Sequence, residues 1–98
     1  MSVYWIDLYK RIDNQENIKK YGEKVTEVLK SYGAKPLVRG GKFKTLEGEN
    51  YPRTVVWEFP SYALAIKCHN SQEYQDGWAL AKDTTDRNLQ IIEGFSTE

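Results

Sequence analysis

The chain has 98 residues, with 14 Lys plus Arg against 14 Asp plus Glu and a formal net charge of zero. That length suits one domain over residues 1–98, near the lower end of what folds without staples. Charge balance without a run of five like charges argues against a phosphate-backbone binder, which carries a basic excess. Cys68 is the single cysteine, so an intrachain disulfide and a Cys-x-x-Cys site are excluded, as a reducing compartment would favour. The opening MSVYWIDLYKR has no basic segment followed by an apolar one, and no apolar run approaches membrane-spanning length. The expectation is a cytoplasmic protein with neither membrane nor nucleic acid as partner.

Val3 to Tyr9 is aromatic and β-branched and predicts a strand. Alternation divides it into Tyr4, Ile6 and Leu8 on one face and Val3, Trp5, Asp7 and Tyr9 on the other. Asp13 followed by Glu16 reads as a capping box. Behind it, Ile18, Tyr21, Val25, Val28, Leu29 and Tyr32 fall at helical spacing, and Gly33 is a natural stop. Residues 14 to 32 are therefore predicted as an amphipathic helix. A second strand is expected from Lys35 to Leu46, bending at Gly40-Gly41, and a third from Arg53 to Phe59. Ser61 caps a helix running to about His69, and Ser71 caps a further segment bearing Tyr74, Trp78 and Ala81. Asn88 to Gly94 is expected to close the fold as a fourth strand.

This order is the ferredoxin-like βαββαβ arrangement, an α+β fold with a four-stranded antiparallel sheet and both helices on one face. The other face is then bare, and a bare apolar face invites a second copy of the chain to pack against it as a homodimer. The seven tyrosines among the 13% aromatic residues suit half-wet pockets and interfaces. With the uniformly apolar Tyr4, Ile6 and Leu8 assigned beneath the helices, Trp5 and Asp7 fall on the open face. Glu58 joins them, because Val55, Trp57 and Phe59 form the apolar set of the third strand. Arg39, at the end of an apolar strand and before two glycines, would then lie between Asp7 and Glu58 as their counter-ion, since an unpaired charge there would be costly.

The stretches LVRGGKFKTLEG (37 to 48), VVWEFPS (55 to 61), SQEYQ (71 to 75) and IIEGF (91 to 95) resemble the family known as domain of unknown function 1330. The likeness runs over nearly the whole chain, and its matching positions include Arg39, Gly40, Gly41, Glu58, Ser71, Tyr74 and Gly94. Ala34, Cys68 and Lys82 depart from the pattern, which favours glycine, an aromatic and arginine there. The resemblance implies membership of the dimeric α/β barrel superfamily, in which two ferredoxin-like subunits pack their sheets together. Relatives of that architecture include cofactor-independent monooxygenases and lactone isomerases.

Two functional readings follow. In the first, Arg39, Trp5, Tyr74 and Glu58 line a pocket for a small organic anion or phenol. Arg39 holds the developing charge, Asp7 or Glu58 is the base, and no cofactor takes part. In the second, the Arg39-centred ions only fix a dimer or binding module. His69 is the single histidine and sits next to Cys68, about 100° away around a helix, so the two form no dyad. One histidine among scattered carboxylates also lacks metal-ligand spacing.

Overall fold

A computed structural model describes residues 2–96. Strand β1 covers Val3–Ile12, helix α1 Gln15–Ser31, strand β2 Lys35–Arg39 and strand β3 Arg53–Phe59. Helices α2 (Tyr62–Asn70) and α3 (Gln72–Trp78) follow, then a 3₁₀ turn at Lys82–Thr84 and strand β4 (Thr85–Glu93). The sheet is antiparallel throughout, in the order β2-β3-β1-β4, so the first strand of the chain is central.

Local chemistry accounts for the boundaries. Asn14 caps α1 by accepting a hydrogen bond from the Asn17 N–H at 3.1 Å. The expected cap, Asp13, instead accepts from Arg11 Nε at 3.0 Å, and its N–H donates to Thr84 O. The helix stops where Gly33 takes φ +86°, open to glycine without penalty. Ser61 caps α2 through the Leu64 N–H. Ser71 both donates to Cys68 O at 2.7 Å and accepts from the Tyr74 N–H at 3.2 Å, so one hydroxyl joins the end of α2 to the start of α3. The second strand is shorter than expected. It ends at Arg39 because Gly40 and Gly41 turn the chain with φ +76° and +101°, and residues 41–50 are exposed and outside any strand.

The core lies between the sheet and the helices. Val3, Trp5 and Tyr9 of β1 and Val55, Trp57 and Phe59 of β3 are buried there, against Tyr21, Val25 and Leu29 of α1 and Ala65, Cys68 and Tyr74 of the later helices. Trp5 stacks on Phe59 with ring centroids 5.5 Å apart and meets Tyr74 edge-on at 5.1 Å, favourable aromatic arrangements.

This reverses the face expected for β1. Trp5 and Asp7 are beneath the helices, while Tyr4, Ile6 and Leu8 stand half-buried on the open face beside Val56 and Glu58. Size decides the matter, because Trp5 and Tyr9 bring much more apolar area to the core than the smaller set does.

Candidate functional site

Antiparallel register gathers the polar centre of the molecule. On β1, Asp7 faces Val55 on one side and Leu89 on the other, and Tyr9 faces Arg53 and Arg87. All of these project toward the helices. Arg87 reaches back under them with its side chain 5% exposed. Its Nη1 donates to Asp7 Oδ2 at 2.6 Å and to the Tyr21 hydroxyl at 3.0 Å, and its Nη2 donates to the Tyr74 hydroxyl at 2.8 Å. The Tyr21 and Tyr74 hydroxyls are 2.6 Å apart. Trp78 closes the cage, with Arg87 Cζ 3.6 Å from its ring centroid, a cation–π contact.

Burial opposes the charge on Arg87, but Tyr21, Tyr74 and Asp7 around it outweigh that effect and raise its pKa. Burial likewise pushes the Tyr9 and Tyr21 hydroxyls up and carries Tyr74 to about 12, so all three remain protonated near neutrality. Asp7 is different. Burial lifts it to about 6, with the Arg87 charge pulling the other way. One oxygen of its carboxylate is held by Arg87 and the nearby Tyr9 hydroxyl also draws the pKa down, while Oδ1 is buried without a hydrogen bond of good geometry. Such an oxygen costs free energy and calls for a reason.

Asp7 lines a cavity between α1 and the sheet, walled by Trp5, Tyr9, Val55 and Trp57, with Arg39 and Arg53 at the β2–β3 side. It encloses about 50 Å³, enough for a few waters or a small functional group. The same two arginines, with Ile18, Gly22 and Thr26, also line an outer trough of about 560 Å³ that continues past Glu23 and Glu27 of α1. A ligand with a small reactive end could therefore place that end inside while its remainder lay in the trough. Arg39 spans the junction: its Nη2 is 3.4 Å from Thr26 Oγ1 of α1, and its Cζ is 5.9 Å from the Trp57 ring.

Of the residues expected to form a site, Trp5, Asp7 and Arg39 all line this cavity, on the helix side of the sheet. Glu58 does not join them. It pairs with Tyr4 and Lys35 on the opposite side, and the expected Asp7–Arg39–Glu58 ion network is absent because neighbouring positions on β3 alternate in direction. The counter-ion of Asp7 is Arg87. Tyr74 contributes its hydroxyl to the Arg87 cage rather than to the cavity wall. Arg87 and Arg53 escaped the sequence reading. Arg87 precedes the strand expected from Asn88, yet it shares parity with Leu89 and Ile91, a pattern that would have placed it on the covered face.

The family profile described as Domain of unknown function (DUF1330) matches residues 2–95. The chain belongs to this family. No curated protein matches it. Among solved structures, it is similar to a protein of unknown function from Rhodopseudomonas palustris at 17% identity and a TM-score of 0.75, over 97% of this chain and 83% of that one. A dimeric ferredoxin-like protein of unknown function from Thermobifida fusca aligns at 13% identity and a TM-score of 0.64, over 94% and 90% of the two chains. SnoaB, a cofactor-independent oxygenase from Streptomyces nogalater, aligns at 5% identity and a TM-score of 0.63, over 98% and 95%. At these identities the likenesses establish a ferredoxin-like α+β fold for the family member described here.

Proposed function

We propose that the protein binds a small organic anion or phenol between α1 and the sheet and moves a proton to or from it without a cofactor. The observation that carries this reading is Asp7, a buried carboxylate that lines the cavity and whose Oδ1 lacks a well-aligned hydrogen bond. A carboxyl group raised to about 6 is a competent general base near neutral pH. In the reaction, Asp7 Oδ1 takes a proton from an acidic C–H or O–H of the ligand. The electron pair stays on the ligand as an enolate or phenolate, and Arg39 stabilises the charge as it develops. Isomerisation, bond cleavage next to a carbonyl, or capture of oxygen by the resulting anion can each follow from that step. The cofactor-independent oxygenase among the structural neighbours is consistent with such chemistry on this fold, an argument by analogy only.

The protein acts as a homodimer packed through its open sheet faces. Tyr4, Ile6, Leu8 and Val56 are half-buried there, and Val38 and Ile92 are 39% and 52% exposed, an apolar surface of the kind that marks an interface. A structural neighbour described as dimeric and ferredoxin-like supports this assembly.

Proton exchange in D₂O tests the catalytic part. Acetoacetate, pyruvate and phenylpyruvate are incubated with the protein and loss of the exchangeable C–H signal is followed by NMR. Asp7→Asn is expected to slow catalysed exchange by about 100-fold or more. Exchange at the uncatalysed rate across this panel would overturn the reading. A second reading, in which Asp7 serves only as counter-ion to Arg87, is favoured by their 2.6 Å contact; it predicts exchange at the uncatalysed rate with every probe.

A further inference from the structure

We infer that Gly40 places Arg53 as a second anion-holding group beside Arg39, so that the pocket takes a carboxylate-bearing ligand in preference to a neutral molecule of the same shape. This deepens the reading above and rests on it.

Arg39 faces Val55 across the β2–β3 ladder, and Arg53 lies two positions from Val55 on the same side of β3. Both guanidinium-bearing residues line the inner cavity and the outer trough. Among the described residues, the ion pairs are Arg11 with Asp13 and Arg87 with Asp7. Neither Arg39 nor Arg53 has a carboxylate of the described residues within ion-pair distance, although Glu23 and Glu27 line the outer part of the trough. Two guanidinium groups without anionic partners beside one opening form a receptor for a carboxylate, which accepts bidentate hydrogen bonds from such groups. Arg53 is also among the charges that draw Asp7 downward, so it acts on the reacting end of the cavity.

The glycine pair explains how Arg53 comes to be there. The Gly40 N–H donates to Thr54 O at 2.9 Å, tying the corner to β3 beside Arg53. A Cβ at position 40 would overlap Arg53 Nη1, whereas a Cβ at position 41 meets nothing within 4 Å. Both residues have positive φ, so both resist substitution on backbone grounds. Only Gly40 also vacates the space in which the guanidinium lies.

The ligand expected is a small oxo-acid whose carboxylate rests between Arg39 and Arg53 and whose carbonyl end enters the cavity toward Asp7. Acetoacetate and its neutral isostere acetoacetamide are the probes, titrated into the full-length protein while the indole N–H signals of Trp5 and Trp57 are followed by NMR. Acetoacetate is expected to bind at least about tenfold more tightly than acetoacetamide, and Arg53→Gln to remove about that factor for acetoacetate alone. Gly40→Ala, whose Cβ pushes the flexible guanidinium aside, should lower acetoacetate affinity part of the way toward Arg53→Gln. Wild-type affinity in a folded Gly40→Ala overturns the placing role of Gly40. Gly41→Ala, which shares the backbone penalty but not the contact, should retain acetoacetate affinity. Should Gly40→Ala fail to fold, Arg53→Gln carries the test. Equal affinity for the two probes, or an unchanged acetoacetate affinity in Arg53→Gln, overturns the inference while leaving a ligand pocket in place. Absence of indole shifts with either probe overturns it as well, and when proton exchange is also absent the pocket reading falls with it.

Discussion

The guanidinium carbon of Arg87 lies 3.6 Å from the centre of the Trp78 ring while its Nη1 holds Asp7 Oδ2 at 2.6 Å. The aromatic face and the carboxylate compensate one buried cation from two directions, and three tyrosine hydroxyls lie within 3.4 Å of its nitrogens. Removing the cation leaves Asp7 buried and alone. Arg87→Met is therefore expected to lower unfolding free energy by about 3–5 kcal/mol in urea titrations. The Asp7→Asn/Arg87→Met double variant should recover at least about 1 kcal/mol of that loss, because it removes the orphaned charge. Equal stability of the single and double variants would contradict this account.

Asp7 also sets a pH dependence with a definite sign. Its folded-state pKa of about 6 lies above the reference value of 3.8, so between those values the native state binds more protons than the unfolded one. Its contribution is most favourable below the lower value and is lost as pH rises to about 6, a change of roughly 3 kcal/mol. Chemical denaturation between pH 4 and pH 7 should show wild type losing stability relative to Asp7→Asn across that window. A difference between the two proteins that does not vary with pH would rule the shift out.

On the open face, Ile6 and Val56 are directly paired at the centre of the surface proposed to meet a second copy. Replacing Val56 with Lys puts two like charges close together across a two-fold interface while leaving the helix-covered core untouched. Sedimentation equilibrium should show wild type at twice the monomer mass and Val56→Lys shifted toward monomer, with far-UV circular dichroism unchanged. A monomeric wild type would remove the dimer from the proposal.

Cys68 is buried against the core, and burial raises its pKa to about 11. Thiolate, not thiol, reacts with disulfide reagents. Ellman's reagent should label the native protein slowly and the urea-unfolded protein at once. Rapid labelling of the native state would mean that α2 opens readily.

Much of the fold was legible in the chain because its signals are local. The helical stripe from Ile18 to Leu29, the serine caps at 61 and 71, and the β-rich run from Arg53 to Phe59 each depend on residues a few positions apart. The faces of β1 were not legible, since both of its alternating sets are largely apolar and Asp7 made the larger set look solvent-facing. The apolar area of Trp5 and Tyr9 reverses that impression, and Arg87, 80 positions away, is the partner that lets Asp7 be buried with them. Burial of a carboxylate is decided by its partner, and no pattern near Asp7 announces one. Arg39 lines the same cavity as Asp7, whereas Glu58 lies on the opposite side of the sheet.

The central place of β1 has a consequence for the birth of the protein. Its neighbours are β3 and β4, so the first of these four strands to leave the ribosome cannot complete its pairing until the fourth is made. At typical elongation rates of 5–20 residues per second, the 80-residue separation of Asp7 and Arg87 takes roughly 4–16 s to synthesise. Through that interval Trp5 and Tyr9 emerge without their final covering, and β1 has lengthy access to unintended strand partners. The nascent chain is thus most vulnerable to aggregation before β4 emerges, and substitutions that weaken β4 should reduce soluble yield more than the folded protein's stability alone would suggest.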